Sequence, residues 1–293
     1  MAQAATTGNL ESAQKIMIAS ARYTEEHNAP MMALTEQFTL KNSEKQVTVP
    51  KVGQMTMSDL VDGQDIIDEE EIGMTTVDLT AAEVGAKVVL TDKLVRQSVP
   101  NVFQMVGRQL GDGMARKKDT DVQALYTNLN DGTTLGLAAK ELSAVNLTGC
   151  IAFAKANKFG SKLYVVHHPN AVSEFVKSAA VTGSGGVGAY PIPRGWSEDL
   201  LKDFYVGLRP LNGVPLFEAG NIPEDSSGDG IGCIADQGAM ATLTSVKMRT
   251  ERERDASLRG TEVVITADYG VFELDNDRGA GMLYDITAPV TSS

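Results

Sequence analysis

The residues of this chain best suited to do chemistry are charged, and they come in runs. Asp68, Glu69, Glu70 and Glu71 are consecutive, with Asp59, Asp62 and Asp65 leading up to them. Arg116, Lys117 and Lys118 form a basic counterpart, and residues 249–255 read Arg-Thr-Glu-Arg-Glu-Arg-Asp. Such patches suit recognition between surfaces: opposite charges on two partners steer their encounter and fix the register in which they dock. One exposed pair contributes only ~0–1 kcal/mol, so an electrostatic latch of this kind works by repetition.

Reactive constellations are harder to find. His167 and His168 adjoin at the end of an apolar stretch, and His27 is remote from both. Neighbouring strand residues point to opposite faces, so the adjacent pair is poorly placed to share a metal. Cys150 and Cys233 make neither a disulfide framework nor a paired zinc-ligand spacing. They sit in apolar helical and strand patterns and read as buried, reduced thiols. Gly183-Ser184-Gly185-Gly186-Val187-Gly188 contains the spacing of a dinucleotide fingerprint. That fingerprint requires a strand before it and a helix after it, and Tyr190-Pro191-Ile192-Pro193 cannot open such a helix. A flexible loop is expected instead. No catalytic residue, cofactor or metal is expected; the alternative of an α/β nucleotide-binding enzyme would place a nucleotide near Gly185.

The balance of Lys plus Arg 26 against Asp plus Glu 38 leaves a net charge of −12. That disfavours tight, sequence-independent nucleic-acid binding, which needs cations to neutralise phosphates. It permits a surface to lie beside DNA without adhering. With 293 residues, 42% hydrophobic and only 5% aromatic, the chain should form two lobes around aliphatic cores. The first ten residues lack the basic start and apolar stretch of a signal peptide. No apolar run approaches the ~20 residues that span a bilayer, so folding in a cytoplasm is expected.

The elements that must position these charges begin with an arm, residues 1–44. Residues 10–24 can form a helix with Ile16, Ala19 and Tyr23 on one stripe, and a second short helix fits 31–37. Residues 45–52 alternate as a strand around Val47 and Val49, the acidic stretch follows, and strand character resumes over 76–90 with Val77 and Leu79. This two-stranded excursion, 45–90, is marginal alone and needs a partner surface. A short helix capped by Thr91 or Asp92 runs to 97. Ser98 and Pro100 then start a long helix, 99–129, with Val102, Phe103, Val106, Leu110, Met114, Val122 and Leu125 on one stripe. Gly107, Gly111 and Gly113 each weaken it by ~1 kcal/mol against Ala, which calls for close backbone approach or a bend.

Beyond the Asn130-Asp131-Gly132 break the pattern mixes. Helices are expected over 147–157 and from His168-Pro169 through 179, with a strand over 162–166 between them. Asn212-Gly213 signals a hairpin between 206–208 and 214–217. A strand over 231–235 and a short helix over 237–243 follow. Residues 246–255 read as a strand with Glu251, Glu253 and Asp255 on one face and Arg252 and Arg254 on the other. This suits an edge strand protected from indiscriminate pairing, and equally a subunit boundary. In 261–274, Val263, Ile265, Ala267 and Tyr269 share one parity while Phe272 and Leu274 take the other; a bulge at Gly270 is expected to restore register. After a turn at Gly279-Ala280-Gly281, 282–286 is expected to pair antiparallel with that strand.

In this order and with these lengths the chain resembles the major capsid proteins of tailed bacteriophages with the HK97 fold. The local matches are Leu90-Thr91-Asp92-Lys93-Leu94-Val95-Arg96-Gln97-Ser98 leading into the long helix, Gly213-Val214-Pro215-Leu216-Phe217-Glu218, and Ala267-Asp268-Tyr269-Gly270-Val271.

The resemblance implies an α+β fold with four parts. Residues 1–44 would be an N-terminal arm and 45–90 an extended loop lying across a neighbour. Residues 91–134 and 246–293 would be a peripheral domain with the long helix as its spine, and 135–245 an axial domain. It implies a structural subunit of an icosahedral capsid, built as hexamers and pentamers around double-stranded DNA. A separate scaffolding protein, a portal protein and a cement protein would be its partners, with packaged DNA nearby only non-specifically and no membrane. Assembly would occur in the host bacterial cytoplasm and the product would be the virion capsid. Asp68, Glu69, Glu70 and Glu71 on one copy would meet Arg116, Lys117 and Lys118 on the next, and Glu251, Arg252, Glu253 and Arg254 would line another subunit contact. An encapsulin-like protein compartment is the alternative within the same fold.

Overall fold

The computed structural model describes residues 30–41, 44–52, 74–93, 102–180 and 213–289. One helix floors two sheets. Helix α1, Val102–Ala124, continues into a 3-10 turn at Leu125–Thr127. Asn130, Asp131 and Gly132 then take positive φ in succession and end it, as their residue types favour.

The first sheet has the order β1-β9-β10-β4, from Glu36–Thr39, Met240–Asp255, Gly260–Glu273 and Ala82–Thr91. Val263, Ile265, Ala267 and Tyr269 of β10 are buried, as their shared parity predicts. They pack with Val84, Val88 and Leu90 of β4 against Val106, Leu110 and Met114 of α1.

The second sheet has the order β5-β11-β8-β6-β7, from Leu135–Gly136, Gly279–Asp285, Asp229–Asp236, Leu163–His167 and Leu216–Glu218. All of β6 is buried, because both of its faces are covered. Leu163 and Val165 face helices α2 (Ala144–Ala156) and α3 (Pro169–Ala180), while Tyr164 and Val166 face Val122, Tyr126 and Leu129 at the end of α1. Ser143 caps α2 by accepting the Asn146 N–H at 3.2 Å. Its inward residues are Leu147, Cys150, Ile151 and Ala154, those of the expected stripe.

Strands β2, Gln46–Val52, and β3, Met74–Thr80, form a separate antiparallel ribbon. Its apolar face is covered by the chain itself: Val47, Val49, Val77 and Leu79 pack against Phe38, Ala241, Leu243, Phe272 and Leu274. Lys51 ties the ribbon down further, with Nζ 2.7 Å from Asp275 and 3.6 Å from Asp277. The two strands therefore do not depend on a neighbour for burial. The acidic stretch between them, including Asp68–Glu71, lies outside the described residues.

Several expectations need correction. Residues 76–90 are not one strand: the chain breaks after Thr80, and β4 leaves the excursion to pair with β10. Residues 31–37 form a 3-10 turn, Pro30–Leu34, followed by β1, which pairs in parallel with β9. Residues 237–243 hold only a 3-10 turn, Gln237–Ala239, before β9 starts at Met240. The described arm of the Asn212-Gly213 hairpin, β7, pairs in parallel with β6. The register shifts of the β9–β10 pair fall between Thr266 and Tyr269, and Gly270 pairs normally with Leu243. Val271 keeps the inward parity, while Phe272 turns to the ribbon because that face is also covered there. Gly270 is needed for another reason: a Cβ on it would lie 2.3 Å from the Thr80 carbonyl oxygen.

Strand β11 pairs antiparallel with β8, not β10, so 282–286 belongs to the second sheet. The expected helix over 10–24, the Ser98 start and the Gly-rich loop at 183–188 lie outside the described residues.

Candidate assembly surfaces

The basic cluster on α1 divides three ways. Lys117 pairs with Asp121 one turn on, at 2.5 Å. Lys118 turns back over the ring of Tyr269, 5.3 Å from its centroid, a cation–π geometry. Tyr269 in turn donates its hydroxyl to Asp121 at 2.7 Å. Arg116 is exposed and has no ion pair among the described residues. The three cations are adjacent in sequence, but among the described residues Arg116 alone of them has no ion pair or ring contact.

The alternating segment lies on β9 as its parity required. Glu251 and Glu253 oppose Val264 and Glu262 of β10, and Arg252 and Arg254 oppose Val263 and Thr261. The arginines thus share the face of β10 that α1 covers, and the acids share the other. Arg254 makes a two-pronged contact with Asp92, at 3.1 and 2.9 Å. Arg249 lies 3.6 Å from Glu251, and Glu262 is held by Lys87 at 2.5 Å. Past Thr244, where β1 ends its pairing, β9 is a sheet edge among the described residues.

His167 and His168 are structural, and His27 lies outside the described residues. His167 is fully buried; its Nε2 lies 3.3 Å from the Met282 carbonyl and its Nδ1 accepts the His168 N–H at 2.9 Å. That pattern assigns the proton to Nε2. Burial pushes its pKa down to about 4. His168 caps α3 by accepting the Asn170 N–H through Nδ1 at 3.2 Å. Both cysteines are free and buried, and burial pushes the Cys233 thiol up to about 12. Among the described residues no group of three or more His, Cys, Asp or Glu could hold a metal ion, and no helix is long and apolar enough to cross a membrane.

One buried polar cluster escaped the sequence reading. Asp119 is 2% exposed, accepts from Asn221 at 3.2 Å and from the Met31 backbone, and burial pushes its pKa up to about 6. Among the described residues, Asp119 Oδ1 and both amide atoms of Gln123, one turn on, have no side-chain hydrogen-bond partner. The available signal was a single acid, Asp119, within the buried stripe Ala115-Asp119-Val122-Tyr126, with Gln123 four positions on.

A family model described as phage capsid protein matches residues 74–281. The chain belongs to the phage capsid protein family. This capsid protein also shares its fold with solved shells. Against the head structure of Helicobacter pylori bacteriophage KHP40 it aligns with TM-score 0.65 at 11% identity, over 88% of this chain and 92% of that one. Against the capsid of cyanophage P-SCSP1u the values are 0.58, 16%, and 87% of each chain. The SrpI encapsulin of Synechococcus elongatus aligns with TM-score 0.60 at 10% identity over 90% of each chain. No curated protein sequence matches. The fold is the HK97 type, α+β, and the family match favours the phage shell over the encapsulin alternative. The capsid protein is a structural subunit that assembles with its own copies, not an enzyme, and its place is the virion capsid.

Proposed function

We propose that this subunit builds an icosahedral shell from hexamers and pentamers and encloses double-stranded DNA. The observation that carries this reading is the arrangement of the whole described chain, ribbon, helix and both sheets, in the order found in capsid shells. The net charge of −12 supports it, since an acidic shell holds DNA without binding it. Assembly takes place in the host bacterial cytoplasm with a separate scaffolding protein, and the finished shell carries a portal and a cement protein.

The peripheral domain is α1 with the β1-β9-β10-β4 sheet, and the axial domain is the β5-β11-β8-β6-β7 sheet with α2 and α3. This keeps the plan of arm, extended loop and two domains, with β11 moved to the axial side. Residues 45–80, rather than 45–90, form the loop that reaches a neighbour. Its acidic run, Asp68, Glu69, Glu70 and Glu71, meets the α1 surface of the next copy. Arg116 supplies the uncommitted cation there, beside Lys117 and Lys118. Glu251, Arg252, Glu253 and Arg254 line a second contact.

Electron microscopy of particles from cells making this chain with the other head proteins of its phage tests the reading. Closed shells with five- and six-fold clusters and nuclease-resistant DNA are expected. Shells filled with protein cargo would favour the encapsulin-like alternative, and soluble monomers alone would overturn both.

A further inference from the structure

Strand β9 presents an open edge that carries its own complement. Its outer backbone groups from Ser245 to Asp255 have no strand partner among the described residues. An edge of this kind is a template for another strand. Two identical edges zipped into one antiparallel sheet are related by a two-fold axis perpendicular to that sheet, which keeps each side chain on its own face. Each register is then defined by the residue that stands on the axis, opposite its own copy.

The charges select one register. Arg249 and Glu251 oppose Thr266 and Val264 of β10, so both lie on the face of the sheet away from α1, and both are exposed. With Thr250 on the axis, Arg249 of each copy stands against Glu251 of the other and Met248 against Arg252, and no like charges are opposed between Ser245 and Asp255. Moving the axis by one residue sets Arg249 or Glu251 against its own copy; moving it further toward the hairpin sets Arg252 or Glu253 against its own. Opposite charges facing each other across strands are stabilising and like charges destabilising.

Thr250 is an independent pointer to the same register. Its hydroxyl is buried and has no hydrogen-bond partner among the described residues. On the axis it meets the Thr250 of the second copy, and threonine pairs are among the favoured cross-strand neighbours. Arg249 can serve both copies. Its Nε donates to Thr266 at 3.2 Å and lies 3.6 Å from Glu251 of its own strand, and the guanidinium fork has further N–H groups to offer a second carboxylate.

We infer that β9 joins two copies of this subunit edge to edge about a two-fold axis at Thr250, with Arg249 of each copy paired to Glu251 of the other. The inference rests on the reading that this segment lines a subunit contact, and it goes further by naming the partner surface and its register.

Cysteine trapping of the full chain is the test. Across the axis the two Cα atoms of residue 250 stand ~4.5–5.5 Å apart, within the ~4.4–6.8 Å that a disulfide spans. The two copies of residue 252 are offset by four positions, ~14 Å at ~3.4 Å per residue. Under mild oxidation of subunits held below the assembly concentration, the Thr250→Cys chain is expected to form disulfide dimers about tenfold faster than the Arg252→Cys chain. In the Thr250→Cys background, Arg249→Glu or Glu251→Arg alone opposes like charges twice and should slow trapping roughly tenfold. The two together exchange the signs and should restore it. Equal trapping at positions 250 and 252, single reversals without effect, or an exchange that fails to restore trapping overturns the two-fold contact. Shell formation by the unaltered chain, scored separately by microscopy, tests the capsid assignment and is independent of these results.

Discussion

Tyr269 donates its hydroxyl to Asp121 at 2.7 Å while its ring lies beneath Lys118. One side chain of β10 thereby holds two charges of α1 and sets helix and sheet in fixed register. Tyr269→Phe keeps the ring and the cation–π contact and removes only the hydroxyl. It should cost about 1.5–3 kcal/mol, the usual contribution of a hydrogen bond to a charged acceptor, read as a lower urea midpoint with an unchanged slope.

His167 and Asp119 give the fold opposing responses to acid. His167 titrates at about 4 in the fold against an ordinary 6.5, because burial opposes its charge. Between those pH values the unfolded chain holds the extra proton, so stability drops as pH falls from 6.5 toward 4. Asp119 titrates at about 6 against an ordinary 3.8, again because of burial. There the folded chain holds the extra proton, so stability rises as pH falls from 6 toward 3.8. The two nearly offset. Asp119→Asn should expose the histidine response, a loss of ~3 kcal/mol between pH 6.5 and 4, and His167→Gln should expose the opposite slope. Denaturant midpoints across that range decide it.

Gly113 is a helical glycine with open space where its Cβ would stand. Gly113→Ala should stabilise the subunit by ~0.5–1 kcal/mol through helix propensity and a less flexible unfolded chain. Gly270→Ala should do the reverse by more than ~1 kcal/mol, since its methyl would strike the Thr80 carbonyl. Thermal unfolding of the two variants should move in opposite directions.

Reversal of Glu69, Glu70 and Glu71 to lysine should leave the monomer folded and impair shell formation, if the acidic run docks on Arg116 of a neighbour. Restoration of shells by adding Arg116→Glu, seen by electron microscopy, would identify that cation as the partner.

Local pattern carried the interior of this fold and failed where the partner was distant. The parity of Val263, Ile265, Ala267 and Tyr269 marked the buried face of β10, and the stripe of Leu147, Cys150, Ile151 and Ala154 oriented α2. Strand β11 was misassigned because alternation does not say which strand lies alongside. Gly279 and Gly281 look like turn residues, yet they sit within β11. A Cβ on Gly279 would reach 2.9 Å from the Leu129 side chain, and one on Gly281 would reach 2.7 Å from the Tyr126 carbonyl. Their small size admits the end of α1, which only tertiary packing reveals. The same is true of the candidate surfaces. The face each β9 charge takes follows from strand periodicity, whereas the commitment of Lys118 to Tyr269 joins residues 151 positions apart in the sequence and leaves no local trace.

The helix shared by both sheets has a mechanical consequence. If the proposed shell sets this subunit at sites of unequal curvature, the subunit must flex somewhere, and an unbroken α-helical ladder is a stiff place to do it. At Leu125–Thr127 the ladder has already tightened to 3-10 geometry, the form in which helices yield most readily. The two sheets then behave as plates joined by a stiff rod, with compliance gathered at the end of the rod nearest the second plate.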